Sequence, residues 1–537
     1  MKHFDYVIVG AGSAGSVLAH RLSDSGQHSV LVLEAGGSDK RFWIQVPIGY
    51  GKTYYQKSVN WMYMADADEG TNNRQSYWPR GKVLGGSSSI NAMVYIRGHK
   101  NDFDAWQAQG NPGWSYQDVL PYFKKSECNQ LGEDEYRGGS GPMHVADVSN
   151  DLHPLCHHFI NAGKQLGLKE NLNFNGHEQE GIGLYQTTTH KGFRQSTAKA
   201  FLHPALKRQN VTLYTHAHAT KVLCVGNKAV GVEYQQKGKT HKVYANKEVI
   251  LCGGAINSPQ LLQLSGIGPA KLLEEHDIPL VQDSPAVGQN LQDHLGMDYL
   301  YRSNKPTLND ELHSWYGKLK AGVKYVLTRR GPLSLSINQG GGFIKTSKDL
   351  TQPDIQLYFS PVSYTKAPAG TRPLMNPDPF SAFLIGLTNC RPTSRGFINI
   401  RSKDPLTPPQ IKPNYLSTDE DVKTLLAGVK YLRQLAQTPA FKDIIVEELR
   451  PGNKCQTDEE LIKDIRGYAW TCFHPTSTCR MGPDSQTNVV NHELKVYGMG
   501  QLRVADASIF PFVVSGNTNA AAIMVGEKAA DMILQEA

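Results

Sequence analysis

With 537 residues, 39% of them apolar and 20% charged, the chain has the make-up of a soluble globular protein, and its length alone suggests roughly three or four ordinary domains. A formal net charge of +7 is mild over that length and no long basic block occurs, which argues against a nucleic-acid partner and leaves open a weak attraction to an anionic membrane surface. No run of about 18 apolar residues exists, so no membrane-spanning helix is expected.

The opening Met1-Lys-His-Phe-Asp5 enters the first apolar run, Tyr6-Val-Ile-Val9, at once and leaves no room for a secretory leader. The eight cysteines are scattered without a CxxC pair and are expected as reduced thiols. The localisation expected is therefore cytoplasmic, with association at the inner membrane surface left open. Gly10-Ala-Gly12-Ser13-Ala14-Gly15 follows the first strand. Ser16–Ser23 then carries apolar residues at helical spacing, and a second apolar strand, Ser29–Leu33, ends at Glu34. Strand, glycine turn, helix, strand, acid is the pattern of a dinucleotide site. The first glycine permits the turn, the second lets the backbone approach a pyrophosphate, and the third lets the helix pack on the strand. The helix N-terminus offers free N–H groups to phosphate, and Glu34, 19 residues past Gly15, is placed to accept ribose hydroxyls.

Residues 79–98 form a glycine- and serine-rich turn leading into an apolar segment. His153-Pro-Leu-Cys156-His157-His158 has no second ligand cluster to complete a four-coordinate zinc site, so no metal is expected. Val211–Thr215, Lys221–Val225, Ala229–Tyr234 and Glu248–Cys252 are expected strands, the last running into a helix at Pro259–Leu264. From about 300 to 455, alternating stretches such as Asp354–Phe359 and Gly396–Arg401 predict an antiparallel sheet, and Asp419–Ala436 an amphipathic helix. Gln501–Ala505 is a strand ending at Asp506, and a helix runs from Asn517, near its cap, to Leu534. The expected fold class is α/β: one discontinuous dinucleotide domain with a second, mainly antiparallel domain inserted.

Taken together, Gly81–Asn91, Gly254–Gly268, His474-Pro-Thr-Ser-Thr-Cys-Arg-Met-Gly482 and Ser515-Gly-Asn517-Thr-Asn519-Ala resemble the signature segments of the glucose-methanol-choline (GMC) flavoprotein oxidoreductases, nearest to choline-dehydrogenase-like and aliphatic alcohol dehydrogenases. The resemblance implies FAD, held in a Rossmann-like domain. It divides the chain into FAD-binding segments at 1–160, 196–300 and 456–537 and substrate-domain segments at 161–195 and 301–455. The cofactor wall it implies comprises Gly10, Gly12, Ser13, Ala14, Gly15, Glu34, Ala35, Trp61, Val83, Gly85, Gly86, Asn91, Met93, Val94, Ala219, Asp506, Ala507 and Thr518. Trp61 is equally well accounted for as a core residue. Some relatives attach FAD through a histidine at the position of Ile90. An isoleucine cannot form that bond, so the FAD is expected to be non-covalent.

The reaction implied is oxidation of a primary alcohol to an aldehyde, with hydride passing to flavin N5 and electrons then to a quinone, an artificial acceptor or O2. His474 matches the family's base and Asn517 the partner of the developing alkoxide; a neutral imidazole suits the first task near pH 7. Trp470 and Phe473, next to the base, are candidates for the substrate pocket, as are Tyr358, Phe359 and Tyr364, all of which serve equally well as core. Ser477, Ala521 and Phe473 stand where relatives usually have glycine, proline and tyrosine. An oxidase releasing H2O2, a choline dehydrogenase and, in a different class, an FAD-containing hydroxynitrile lyase are the alternatives. The particular alcohol, the physiological acceptor and the oligomeric state are not legible from these residues.

Overall fold

The computed structural model describes residues 2–365 and 377–537. Two sheets, each with its own apolar core, organise the chain. In the first, parallel strands stand in the order Val211–Tyr214, Val30–Leu33, Lys2–Val9 and Lys239–Leu251. Val30–Leu33 is buried along its whole length, as a parallel strand covered on both faces must be, which explains its unbroken apolar run. The 13-residue strand Lys239–Leu251 has two neighbours on one edge: Lys228–Gln236, antiparallel, along its first half, and Leu502–Val504, parallel, at its end.

Helix α1 (Ser13–Leu22) crosses this sheet, and helix α2 (Gly254–Leu264) leaves the end of Lys239–Leu251. Further along, helix α3 (Trp315–Thr328) lies on the outside of the molecule and helix α4 (Asn519–Glu536) returns to pack on α1. At the α1–α4 crossing a Cβ on Gly526 would lie 2.9 Å from the Ala14 carbonyl oxygen, so only glycine lets the two backbones come this close. A 2.7 Å ion pair between Arg21 and the buried Glu527 carboxylate ties the same two helices.

The second sheet is antiparallel, in the order Ile445–Arg450, Leu295–Ser303, Ala382–Asn389, Ile355–Ser360, Gly340–Ile344, Gly181–Leu184, with Trp470–Thr471 joined to the start of Leu295–Ser303. Helices Leu155–Gln165 and Asp419–Ala436 fill its core face. One strand runs through residue 300, and Trp470–Thr471 brings part of the C-terminal segment into this sheet, so the chain passes between the two units more often than the expected boundaries allow.

Asp354–Phe359 forms the expected antiparallel strand, Ile355–Ser360, which is buried throughout, and two other expectations need correction. Ile355, Leu357 and Phe359 enter the core, while Gln356 and Tyr358 turn toward the active-site side. Gly396–Arg401 does not join the large sheet. Its central residues Phe397–Asn399 pair only with Gln410–Lys412, and the Gln263 amide of α2 holds the Ile398 carbonyl oxygen at 3.0 Å and the Ile400 N–H at 2.9 Å. Finally, α4 begins at Asn519 rather than Asn517, and the side chain of its N-cap, Thr518, makes no capping bond.

Candidate active site

The carboxyl ends of the parallel strands meet one long cavity. Val9 gives way to Gly10, Leu33 to Glu34 and Leu251 to Cys252, all of which line it, as does Asp506 just past the strand end at Val504. Ligands collect at this edge of parallel sheets because the chain reverses there and helices start there. Among the implied cofactor residues, Gly10, Gly12, Ser13, Ala14, Glu34, Ala35, Trp61, Gly86, Asn91, Met93, Val94, Ala219, Asp506, Ala507 and Thr518 lie on the cavity wall. Gly15, Val83 and Gly85 do not. A Cβ on Gly15 would sit 2.0 Å from the Gly10 carbonyl oxygen, so this glycine serves helix-to-strand packing. Val83 packs with Ile44, Val59 and Ile90, and Gly85 takes a φ of +85° in the turn before Gly86.

The cavity fits an anionic dinucleotide. A Cβ on Gly12 would meet nothing closer than 3.9 Å, so this backbone lies open to the cavity where phosphate is to approach. The N-cap side of α1 carries no side-chain cap, and neither does that of α4; both helix starts face the cavity with free N–H groups and positive dipole ends. Glu34 accepts from the Ala11 and Gly36 amides at 2.9 and 2.7 Å, which aims its carboxylate into the cavity. Burial raises its carboxyl to about 7, against the pull of those two amides and of Lys82. Asp506 is occupied by the protein: it accepts from Gly254 N at 2.8 Å and Ser258 Oγ at 2.6 Å, capping α2. Trp61 stacks on Tyr63 with the Lys82 ammonium 4.3 Å from its ring centre, so it is both packed and on the cavity wall.

His474 and Asn517 meet at the other end of the cavity. Asn517 Nδ2 donates to His474 Nε2 at 3.2 Å, and Gln356 Nε2 donates to Asn517 Oδ1 at 3.2 Å. Asn517 is therefore a side chain aimed at the histidine, not a helix cap. On its other side, His474 Nδ1 lies 3.0 Å from His294 Nδ1, and His294 Nε2 lies 3.1 Å from the Cys390 carbonyl oxygen. A carbonyl only accepts, so His294 carries its proton on Nε2, and its bare Nδ1 accepts from His474 Nδ1–H. This leaves the lone pair of His474 on Nε2, facing Asn517. Burial, then His294 and Arg80, hold the His474 imidazole well below the usual histidine range, so it is neutral at physiological pH. The main chain is fixed as well: Asp293 Oδ1 accepts from His474 N at 2.7 Å, and its other oxygen accepts from Thr471 and Tyr415.

Around this pair stand Tyr54, Met93, Val94, Tyr358, Trp470 and Phe473. Phe359 belongs to the second core, stacked on Phe159 and tilted against Phe383, and Tyr364 packs against the cluster that holds Tyr54, Tyr325 and Val362 without lining the cavity. The sequence reading missed His294, Arg80 and Gln356. Arg80 donates to the Phe473 carbonyl at 2.9 Å and so anchors the residue before the base. An Asp-His pair at the head of an otherwise apolar strand, Asp293-His294 before Leu295–Ser303, was the available signal for His294. In the His153–His158 stretch, Cys156 is buried within helix Leu155–Gln165 and His158 bonds the Ala440 carbonyl; no group of three or more metal-ligand side chains occurs among the described residues.

The GMC oxidoreductase family models match residues 4–296 and 392–526. The chain is 43% identical to an alcohol dehydrogenase [acceptor] of Pseudomonas putida, over 99% of this chain and 96% of that one. It is 42% identical to an oxygen-dependent choline dehydrogenase of Vibrio vulnificus (strain YJ016), over 100% and 95%. A formate oxidase of Aspergillus oryzae RIB40, described for its FAD modification, superposes with a TM-score of 0.92 at 28% identity, covering 100% of this chain and 98% of that one. The chain therefore belongs to the GMC oxidoreductase family, with FAD as its cofactor and a CH–OH group as the donor it oxidises.

Proposed function

We propose that this enzyme oxidises neutral, apolar primary alcohols to aldehydes with non-covalent FAD, and hands the electrons to a quinone-like acceptor. The observation that carries the substrate class is the make-up of the cavity wall. Its carboxylates, Glu34 and Asp506, both stand at the nucleotide end, while the His474 end is walled by Tyr54, Met93, Val94, Tyr358 and Phe473. A quaternary ammonium substrate would meet no carboxylate there, only the rings of Tyr54, Tyr358, Trp470 and Phe473, which leaves choline less favoured, and a sugar would find few fixed partners for its hydroxyls.

Bound FAD supplies the hydride acceptor. The protein supplies the rest. His474 Nε2 and Asn517 Nδ2 are 3.2 Å apart, so one alcohol oxygen sits within hydrogen-bond reach of both. The hydroxyl donates its proton to the neutral Nε2, and Asn517 donates to the oxygen as negative charge grows on it. The imidazolium that forms keeps its Nδ1–H on His294. The start of α4 turns its positive end toward the same region and favours negative charge there. Ile90, on the cavity wall, has no group able to bond a flavin covalently.

An anaerobic panel of alcohols, followed by flavin bleaching, tests the reading. Each methylene buried contributes roughly 0.8 kcal/mol, so catalytic efficiency rises about threefold to fourfold per carbon until the cavity is full. A flat profile from ethanol to octanol, or a preference for choline or glucose, overturns it. Peroxide formed in step with turnover in air would make the enzyme an oxidase instead. No bleaching by any alcohol would leave the lyase alternative.

A further inference from the structure

Helix α3 turns the usual surface pattern inside out. Trp315, Leu319, Val323 and Val326 follow one another along one side, flanked by Tyr316 and Leu327, and these side chains are 50–78% exposed. At about 100° per residue they occupy one arc of roughly 120°. The opposite side holds Ala321 and Tyr325, both buried, and Tyr325 donates to the Gly192 carbonyl at 2.9 Å. An ordinary surface helix buries its apolar stripe; this one points it into solvent.

The charges are arranged to match. Exposed Lys320 and Lys324 border one edge of the stripe and exposed Lys318 lies beyond the other; the helix contains no acidic residue. Asp310 and Glu311 lie on the short helix before it, where Asp310 is bonded to Thr307 and Ser381. Just past the C-terminal end, Arg330 is paired with Asp151 and Arg329 covers the rings of Phe193 and Tyr325.

We propose that α3 docks flat on an anionic lipid bilayer, its Trp315–Leu327 face entering the headgroup boundary and its lysines meeting the lipid phosphates. An apolar arc edged by lysines whose stems can lie along it is the chemistry of an interfacial helix. A second copy of the chain fits less well, since a two-fold pairing of this face would set its lysines against their own kind. The inner side of α3 packs on a cluster that includes Tyr50, Tyr54, Met93 and Phe473, and the last three also line the active-site cavity. The docked bilayer would thus be separated from the site by α3 itself and by the side chains of this cluster.

The test uses the FAD-loaded enzyme and sedimentation with vesicles of phosphatidylethanolamine and phosphatidylglycerol, with phosphatidylcholine vesicles as the uncharged control. Wild type is expected to sediment with the anionic vesicles. Leu319→Glu/Val323→Glu is expected to lower partitioning by about tenfold or more. Lys318→Gln/Lys320→Gln/Lys324→Gln is expected to lower it and flatten its salt dependence. Turnover of a water-soluble alcohol with a soluble acceptor should be unchanged in both. Brominated lipid should quench wild-type fluorescence more than that of Trp315→Phe, a reading that stands even if the charged variants fold poorly. The proposal is overturned if wild type stays in the supernatant, if the variants partition like wild type, if quenching does not depend on Trp315, or if wild type is a dimer that Leu319→Glu splits.

Discussion

The contact between His294 and His474 runs nitrogen to nitrogen, Nδ1 to Nδ1 at 3.0 Å, so a single proton has to serve both rings. If His294 took up a second proton, its Nδ1–H would face the Nδ1–H of His474. His474 would then have to move its own proton to Nε2 and cease to be a base. Burial holds His294 down to about 4, which keeps this from happening at physiological pH.

His294→Ala should therefore slow flavin reduction by at least about tenfold while FAD content and KM change little, because it loosens the tautomer rather than the pocket. His294→Asn, whose Oδ1 can accept from Nδ1–H, should recover most of the loss. Stopped-flow reduction of both variants checks this, and equal rates in the two would remove His294 from the mechanism.

His474→Ala should bind FAD normally and reduce it about 10²–10⁴-fold more slowly, the usual cost of losing a general base. Asn517→Ala should slow reduction by less. Because His474 sits well below the ordinary histidine range, the acid limb of the reduction rate should lie below pH 6.5. The sign for stability follows: below the unfolded value of about 6.5 the unfolded chain binds more protons than the folded one, so stability falls as pH drops below about 6.5. An acid limb centred at 6.5 or above would contradict the buried, neutral base.

Glu34 makes FAD binding pH-dependent in the opposite region. Its carboxyl is raised to about 7 without ligand, and ribose hydroxyls bond best to the ionised form. FAD affinity should rise from pH 6 to 8 and level off above, while Glu34→Gln binds more weakly and without that slope; titration calorimetry on deflavinated protein reads both. Acid precipitation of wild type should release the flavin into solution, and Gly12→Leu should purify without colour.

Ser477 holds a left-handed φ of +74° while fully buried, close behind Phe473 at +64°. Among the described residues its side chain hydrogen-bonds Thr476, at 3.0 Å. A glycine adopts this conformation without a Cβ clash, so Ser477→Gly should raise stability by about 0.5–1 kcal/mol. A fall in the urea midpoint would show that the hydroxyl matters more than the backbone.

The nucleotide half was legible because its physics is local. Glycine spacing, an apolar strand and an acid at its end all lie within residues 6–34, and the helix Asp419–Ala436 was equally plain from its periodicity. Gly396–Arg401 was misplaced because a short alternating stretch carries no mark of its partner: its central residues pair with Gln410–Lys412 alone and it is tied to α2 by the Gln263 amide, 137 residues from Ile400 in sequence. His294 escaped because a relay through two rings is a fact of three dimensions: 180 residues separate it from His474. Phe359 and Tyr358 could not be told apart by type, only by which side of the strand each faces.

Ser13 at the start of α1 donates to Asn519 at the start of α4 at 2.7 Å, across 506 residues of sequence. The two helix ends that would neutralise the cofactor's charge thus leave the ribosome 506 residues apart. A nascent chain holds the glycine turn early but lacks Asn517, Thr518 and the second helix dipole until about 500 further residues have been made. Cofactor capture then becomes a late event in biogenesis. Chains arrested short of α4 should emerge without flavin, marking them apart from completed enzyme for the cell's proteases.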